Sequence, residues 1–540
     1  MSTAIQEFYY KLRCIDRTER TLGDYEPYEL RISPIDAKVR VLKDGDYAVA
    51  IDDKGAVISR SDEHYESIEE AINSLTDGRT WMETVLIRGD FTLSSPINLV
   101  SNLRLVILGK LTLDDNANVP ILQATDINIP LVNCEIIGGI LDGNASNQTS
   151  GFAIIRIDKP DYVKNLKIVG VSINNAYAHG IIIRENNPSE YRKIVKECSI
   201  YNIAVGTVGY GIYIDYAPNS IIKGNYVEPV AVVDGIEIGN SKAVVEGNIL
   251  RGRAPINIPF AHRSIIKNNI LVEGATIQND GNNADNVVVE GNVIYRTQPA
   301  PMYAGIRIVG DSPVIADNYI YVLNDQLGIS VIGDYARISD NIIIKDSSNI
   351  GTGCGIRVIG SSAVITGNRV YGFNNGIKFD NDYCRIENNH CDYCDYGIYI
   401  TPYSESGHII SGSSVINNVL TNCTSAGIFW KYYESPDNIV KSNIGYVTEN
   451  DGVATFSGDG TTTDFLIGEH GLDVSPSDPG MLLCYGVPLS TDAINASPLT
   501  VYPSDENADG HYESLRVKFT TAPISGTNNV KIKWYVELRP

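Results

Sequence analysis

The sequence predicts an all-β solenoid, a parallel β-helix, and three observations carry that prediction. The tetrapeptide Gly-Ile-x-Ile recurs as Gly211-Ile212-Tyr213-Ile214, Gly235-Ile236-Glu237-Ile238, Gly305-Ile306-Arg307-Ile308, Gly355-Ile356-Arg357-Val358, Gly376-Ile377-Lys378-Phe379 and Gly397-Ile398-Tyr399-Ile400. An Asn closes each repeat, at 225, 248, 269, 292, 318, 341, 368, 389, 418 and 443, so successive copies lie 21 to 29 residues apart. Self-similarity at such a period marks stacked repeats. The apolar residues between these landmarks are Ile and Val at period two, with no helical period among them. Leucine-rich repeats share the period, but they need Leu at fixed offsets and a helical segment. Strands joined by turns into one rising coil remain, each coil adding about 4.8 Å of height. Uneven gaps are turns of varying length, and the repeated Asn is expected to stack on its neighbours as a buried amide ladder.

Length and composition agree with that class. The 540 residues suffice for one long solenoid with attachments. A net charge of −22 argues against wrapping nucleic acid or docking on anionic lipid. Nine cysteines are an odd number without small-scaffold spacing. Cys391 follows Asn389 at the offset where other coils carry Val370, Ile343 and Leu271, so it is expected in the core. Cys391-x-x-Cys394 with Cys384 has no second such pair and no His at ligand spacing. The first residues have neither a basic start nor an apolar core, so no signal peptide is visible, and no apolar run is long enough to span a membrane.

Residues 1–60 are expected to form a separate head. Tyr9, Tyr10, Tyr25 and Tyr28 cluster there, and Val39–Leu42 and Tyr47–Ile51 flank the turn Lys43-Asp44-Gly45-Asp46 as a hairpin. Such a head would either attach the protein to something larger or pack on the end of the solenoid. A helix over 62–75 follows, with Ile68, Ala71, Ile72 and Leu75 on one stripe and Asp62 or Ser67 as its cap. A solenoid end exposes core and sheet edges, and this helix is expected to cover them. The β-helix is expected over 61–445. From 446 to 540 the repeat is lost, and the alternating runs Leu515–Phe519 and Val530–Val536 predict a small β-sandwich that trimerises the chain or binds sugar.

The helix, the opening Gly78-Arg79-Thr80-Trp81-Met82-Glu83-Thr84-Val85-Leu86-Ile87-Arg88-Gly89-Asp90-Phe91 and the coil Gly138-Gly139-Ile140-Leu141-Asp142-Gly143-Asn144 resemble pectin-lyase-like right-handed parallel β-helix proteins, most of all viral tailspikes and tail fibres. The resemblance spans about residues 60–450. It implies a right-handed coil, a homotrimer, and an extracellular or virion-surface setting. It fixes no chemistry, because the superfamily includes hydrolases, lyases, epimerases and inert fibres. The paired aspartates of polygalacturonases and the His-Glu element of alginate epimerases are not found, so no catalytic set carries over.

Candidate chemistry therefore comes from the residues. In Gly-Ile-x-Ile both Ile point inward and x faces out. Stacking the coils lines up Tyr213, Glu237, Asn257, Thr276, Arg307, Ser330, Arg357, Lys378, Tyr399 and Phe429, with Asp215 and Asp380 in a column two residues on. His179, Arg184 and Glu185 belong to the preceding coil. A sheet face bearing Tyr, Arg, Lys and carboxylates suits an extended polysaccharide, since rings stack on sugars and charged groups bind hydroxyls or uronates. Asp215 and Glu237 are the acid/base candidates, with Asp234 able to replace either. One coil and two residues apart, their Cβ atoms are expected roughly 8 Å from each other, within the spacing of inverting glycosidases. Outward carboxylates on an acidic protein are more often simply solvated. Tyr213, His179, Arg184, Arg307, Arg357, Lys378 and Tyr399 are the substrate-binding candidates. Arg307, Arg357 and Lys378 would alternatively neutralise a uronate carboxylate in a lyase or C5-epimerase, with Tyr213, Tyr399 or His179 moving protons. No cofactor is expected. Asp380-Asn381-Asp382 is a Ca²⁺ candidate that lacks the remaining EF-hand ligands. The competing class is a non-catalytic fibre or adhesin in which the helix is a spacer.

Overall fold

A computed structural model describes residues 37–538 except 159, 188–189, 204–208, 229–233, 253–254, 280–282, 297–303, 324–326, 347–352, 403–408, 431–434, 436, 447–448, 473–481 and 509–510. One coil shows how the chain rises. Ser220–Lys223 lies in the first sheet, Tyr226–Glu228 in the second and Asp234–Ile238 in the third, and Ala243–Glu246 then returns to the first sheet one coil up. The coils pair in parallel through Ile222↔Val245, Val227↔Leu250 and Ile236↔Ile256. Repetition yields sheets of 18, 14 and 14 strands, a right-handed parallel β-helix.

Two side-chain ladders fix this register. In the third sheet the first inward position is isoleucine in every coil from Ile155 to Ile428, through Ile181, Ile212, Ile236, Ile256, Ile277, Ile306, Ile329, Ile356, Ile377 and Ile398. A β-branched side chain suits a pleated surface, and identical neighbours stack without voids. At the corner between the first two sheets, each repeated Asn donates its Nδ2 to Oδ1 of the Asn one coil on. The links run from Asn225–Asn248 at 2.9 Å to Asn418–Asn443 at 3.0 Å. The Gly of Gly-Ile-x-Ile is required by close approach. A Cβ at Gly355 would lie 2.2 Å from Val370 Cγ1 and 2.6 Å from the Gly376 carbonyl oxygen.

The N-terminal end differs from expectation in two ways. Val39–Asp44 does form a hairpin with Tyr47–Asp52, but it also pairs in parallel with Glu83–Arg88. Residues from 37 onward therefore extend the first sheet, and the expected boundary at 60 falls inside a continuous sheet. Tyr9, Tyr10, Tyr25 and Tyr28 lie outside the described residues. The helix α1 spans His64–Asn73, shorter than expected, and buries Ile68, Ala71 and Ile72. Neither Asp62 nor Ser67 caps it. Glu63 holds the N-cap position without a side-chain hydrogen bond, and Ser67 Oγ instead donates to the Ala48 carbonyl at 2.8 Å, tying helix to hairpin.

Beyond the coils the chain forms two three-stranded antiparallel sheets. Gly526–Leu538 lies between Glu449–Gly458 and Leu482–Pro488, and Ser514–Phe519 lies between Asp464–Glu469 and Leu499–Ser504. Ala454, Val530, Ile532, Val517 and Phe519 are buried there, and the Phe456 and Phe465 rings meet at 5.1 Å.

Candidate functional site

The third sheet presents the chemistry. Its outward column, read from hydrogen-bonded register, is Arg156, Ile182, Tyr213, Glu237, Asn257, Gln278, Arg307, Ser330, Arg357, Lys378, Tyr399 and Phe429. Gln278 stands where Thr276 was expected. The segment Gly274-Ala275-Thr276-Ile277 imitates Gly-Ile-x-Ile, yet Ile277 takes the first inward position, which shifts the outward one to 278. Thr276 is buried and donates to Gln278 Oε1 at 3.3 Å.

Asp215 sits two residues along from Tyr213, whose register partner is Glu237. The Tyr213 hydroxyl donates to Asp215 Oδ2 at 3.0 Å, and the Asn240 backbone N–H donates to Oδ1 at 3.0 Å. Asp215 is 7 % exposed, a carboxylate sunk into the face but held by donors. Burial, then the charges of Asp215 and Glu237, push the Tyr213 phenol well above its usual range, so it stays protonated and donating. Asp234 accepts from Asn257 Nδ2 at 2.9 Å. It lies three residues before Glu237, in register with Tyr210.

An aromatic row runs into this group. His179 stacks on Tyr210 at 5.2 Å between centroids, and Tyr210 stacks on Tyr213 at 4.8 Å. The Tyr210 backbone N–H donates to His179 Nδ1 at 3.0 Å, which leaves Nε2 as the protonated nitrogen of the neutral ring. Burial lowers the His179 pKa and favours that neutral form. Tyr210 and Asn240 were not anticipated. Tyr210 had one signal, in that polar or aromatic residues recur three positions before the outward one, at Asp234, Asn375 and Tyr396.

The other expected residues separate into groups. Arg184 lies next to Asp215 in register, but its guanidinium binds Asp158 at 2.7 Å. Burial alone would raise the Asp158 pKa, and the hydrogen bonds from Arg156 and Arg184 outweigh it and lower the value. Glu185 does not reach the face. It is buried against Lys193 Nζ at 2.6 Å and accepts the Val163 N–H. Arg307 donates to the Asn279 carbonyl at 3.0 Å. Several coils further on, Arg357 and Lys378 are neighbours in register, Asp380 lies 3.9 Å from Arg357, and Lys378 Nζ stands 5.4 Å from the Tyr399 ring centroid. Tyr399 stacks on Phe429 at 4.9 Å. In the Asp380-Asn381-Asp382 run, Asp382 Oδ1 accepts the Ser411 N–H at 2.8 Å. Among the described residues no three His, Cys, Asp or Glu side chains converge as a metal cage.

Residues 281–462 match a family described as a right handed beta helix region, and residues 147–352 match one described as a periplasmic copper-binding protein (NosD). Copper favours His, Cys and Met donors. Between 147 and 352 the described donors of that kind are His179, His262 and the buried Cys198, whose thiol burial pushes up to about 12. That set does not fit a copper site. No curated protein matches the sequence. Among solved structures, the chain is similar to the tailspike of E. coli bacteriophage HK620 in complex with a pentasaccharide, with TM-score 0.53 and 15 % identity over 88 % of this chain and 90 % of that one. It is also similar to a mutant of that tailspike in complex with a hexasaccharide, with TM-score 0.51 and 15 % identity over 88 % and 89 %. Among the described residues no helix is long and apolar enough to cross a membrane. Register, ladders and structural likeness together give this chain the right-handed parallel β-helix fold of the pectin-lyase-like proteins, the fold it shares with a phage tailspike.

Proposed function

We propose that the third sheet binds an extended polysaccharide and cleaves it by hydrolysis with inversion at the anomeric carbon. The placement of Asp215 and Glu237 carries this reading: one coil and two residues apart, on one face. Combining about 4.8 Å between coils with about 6.7 Å along the strand puts their Cβ atoms roughly 8 Å apart, a gap that admits a water between carboxyls. Asp215, held in place by the Tyr213 hydroxyl and the Asn240 N–H, takes a proton from that water as its oxygen bonds to the anomeric carbon. Glu237 gives its proton to the departing glycosidic oxygen as the carbon–oxygen bond breaks. One water is consumed and two shorter glycans leave. Asp234, held by Asn257, orients the glycan beside Glu237, and the His179–Tyr210–Tyr213 row offers rings for sugar faces.

The same reading includes a homotrimer at an extracellular or virion surface, attached through the N-terminal residues. Two observations support it: the likeness to a tailspike that binds oligosaccharides, and the outward face of the second sheet. There the adjacent columns Ile270, Val293, Tyr319, Ile342 and Val272, Tyr295, Tyr321, Ile344 are apolar through four successive coils, a surface suited to a neighbouring copy. The test is reducing-end release by wild type, Asp215→Asn and Glu237→Gln on a polysaccharide that wild type cleaves. Each variant should lose at least about a hundredfold in kcat, the lower range for acid–base catalysis, while still binding the glycan. Activity within threefold of wild type in both would remove these carboxylates from the mechanism.

A further inference from the structure

The corner between the third and first sheets repeats one backbone shape from coil to coil. The N–H groups of Asn286, Ser312, Tyr335, Ser362 and Tyr383 each donate to the carbonyl just before the next member of the series, which ends at Gly412. These six residues therefore form one column, and all have φ between 56° and 63°, in the left-handed region. Gly, Asn and small polar residues suit that conformation, whereas a bulky ring there is an outlier. Tyr335 and Tyr383 hold this strained backbone while 61 % of each residue stays exposed, so no burial offsets the strain. The turn beneath them is fixed. Asp311 Oδ1 accepts the Asp334 N–H at 2.8 Å, and Asp334 Oδ1 accepts the Ser361 N–H at 2.7 Å. Strain kept on a rigid turn without a gain in packing points to a role outside the fold.

Tyr335 and Tyr383 stand two coils apart, about 9.6 Å along the helix axis, with Ser362 between them. The Tyr383 ring lies over the next coil, where a Cβ at Gly412 would be 2.5 Å from its Cδ1 and 2.6 Å from its Cε1. The side chain absent at 412 makes room for the ring, and with one side against this backbone the exposed surface of the ring is its other side. The surroundings are polar, with Asp334, Ser361 and Asp382 one residue before the column. A protein partner would call for apolar neighbours around such rings, whereas a hexose offers an apolar face to Tyr and hydroxyls to serines and carboxylates. The Asp334 and Asp382 charges disfavour an anionic sugar. We propose that Tyr335, Ser362 and Tyr383 form an anchoring site for a neutral polysaccharide, apart from the face that carries Asp215 and Glu237. Its two rings stack on sugars of one chain running along the corner. Tyr335 belongs to the coil of Ser330, four coils from Glu237, about 19 Å along the axis. One polymer spans both places, and a short oligosaccharide does not. The site rests on the reading of this chain as a glycan-binding protein, and not on the hydrolytic step.

The test is affinity electrophoresis of the full chain in native gels containing galactomannan, hydroxyethylcellulose or laminarin, beside Tyr335→Asn, Tyr383→Asn, Tyr335→Phe and Tyr383→Phe. Asn occupies the same position at 286 and suits left-handed backbone, so both Asn variants should fold with a urea midpoint no lower than wild type. At least one of the three polysaccharides should retard wild type. Each Asn variant should raise its Kd at least about fivefold, and each Phe variant should stay within about twofold, because the ring rather than the hydroxyl makes the contact. Retardation by none of the three, retardation that survives both Asn substitutions, or a midpoint lowered in both Asn variants overturns the site. Reducing-end release from the retarding polysaccharide separates this site from the hydrolase reading. If the Asn variants bind as wild type does while Asp215→Asn abolishes cleavage, the anchoring site falls and the hydrolase stands. If the Asn variants lose binding while wild type cleaves nothing, the hydrolase falls and the anchoring site stands.

Discussion

Replacing Asn318 with Ala removes one rung from the middle of the amide ladder. The Asn318 side chain accepts from the Asn292 backbone N–H at 2.9 Å and from Asn292 Nδ2 at 3.0 Å. It donates to the Val289 carbonyl and to Asn341 Oδ1, both at 2.9 Å. Three of these four neighbours keep other partners. Asn292 Nδ2 still reaches the Ile266 carbonyl, Asn341 Oδ1 still accepts the Asn318 N–H, and the Val289 carbonyl keeps the Ala316 N–H of the parallel ladder. The Asn292 N–H loses its partner in the interior. At about 1–3 kcal/mol for a stranded group the loss is about 2 kcal/mol. Coils contact mainly their neighbours, so the loss is local. Hydrogen exchange read by mass spectrometry should therefore show opening about thirtyfold more frequent in peptides around 289–295 and 315–321, while peptides near Ile155 and Ile173 keep wild-type protection. Exchange within threefold of wild type in the ladder peptides would refute the argument that amide stacking, rather than apolar packing alone, holds the corner.

Other substitutions probe different parts of the molecule. Gly355→Ala places a methyl 2.2 Å from Val370 Cγ1, and the overpacking should cost at least about 1–3 kcal/mol, measured as a lower urea midpoint. Burial pushes the Cys134, Cys384 and Cys394 thiols up to about 12 and holds Cys391 well above its usual range. Iodoacetamide at neutral pH should spare these four in the native protein and modify them after denaturation, as peptide mass mapping would show. Asp380 has a folded-state pKa raised by burial. Its proton therefore stabilises the fold fully below the ordinary carboxylate pKa, and that stability is lost as pH rises through the raised value. Asp380→Asn removes this loss. Its urea midpoint relative to wild type should rise between acid and neutral pH, and a constant difference would contradict the assignment.

The coil architecture was legible because it rests on identities repeated in phase. Isoleucine in the inward position and Asn at the corner recur too regularly to read as anything but stacked strands. Where a coil loses the Gly-Ile-x-Ile form, the register is no longer visible. At Gly274–Ile277 a near copy slipped by two residues, and Gln278 rather than Thr276 reached the face. The join between the N-terminal hairpin and the first sheet is not legible, because Val39–Asp44 pairs with Glu83–Arg88, more than forty residues on, and such a partner leaves no local mark. Glu185 was placed beside the site on sequence proximity alone, whereas the buried Lys193 holds it in the interior. The columns holding Tyr213, Asp215 and Glu237 follow from two-residue alternation. Asn240, which donates to Asp215, comes from a turn and is outside any periodic pattern.

Incubation of the full chain with a panel of neutral and acidic polysaccharides tests the central claim most directly, with released reducing ends and the ultraviolet absorbance of unsaturated uronates followed together. The account predicts reducing ends without that absorbance, newly formed ends of inverted anomeric configuration by proton NMR, and no product from Asp215→Asn or Glu237→Gln. Absorbance rising in step with reducing ends would mean elimination and transfer the chemistry to the Arg, Lys and Tyr residues of the column. No product from any glycan, from a stable oligomer, would contradict the account and leave the β-helix as a fibre.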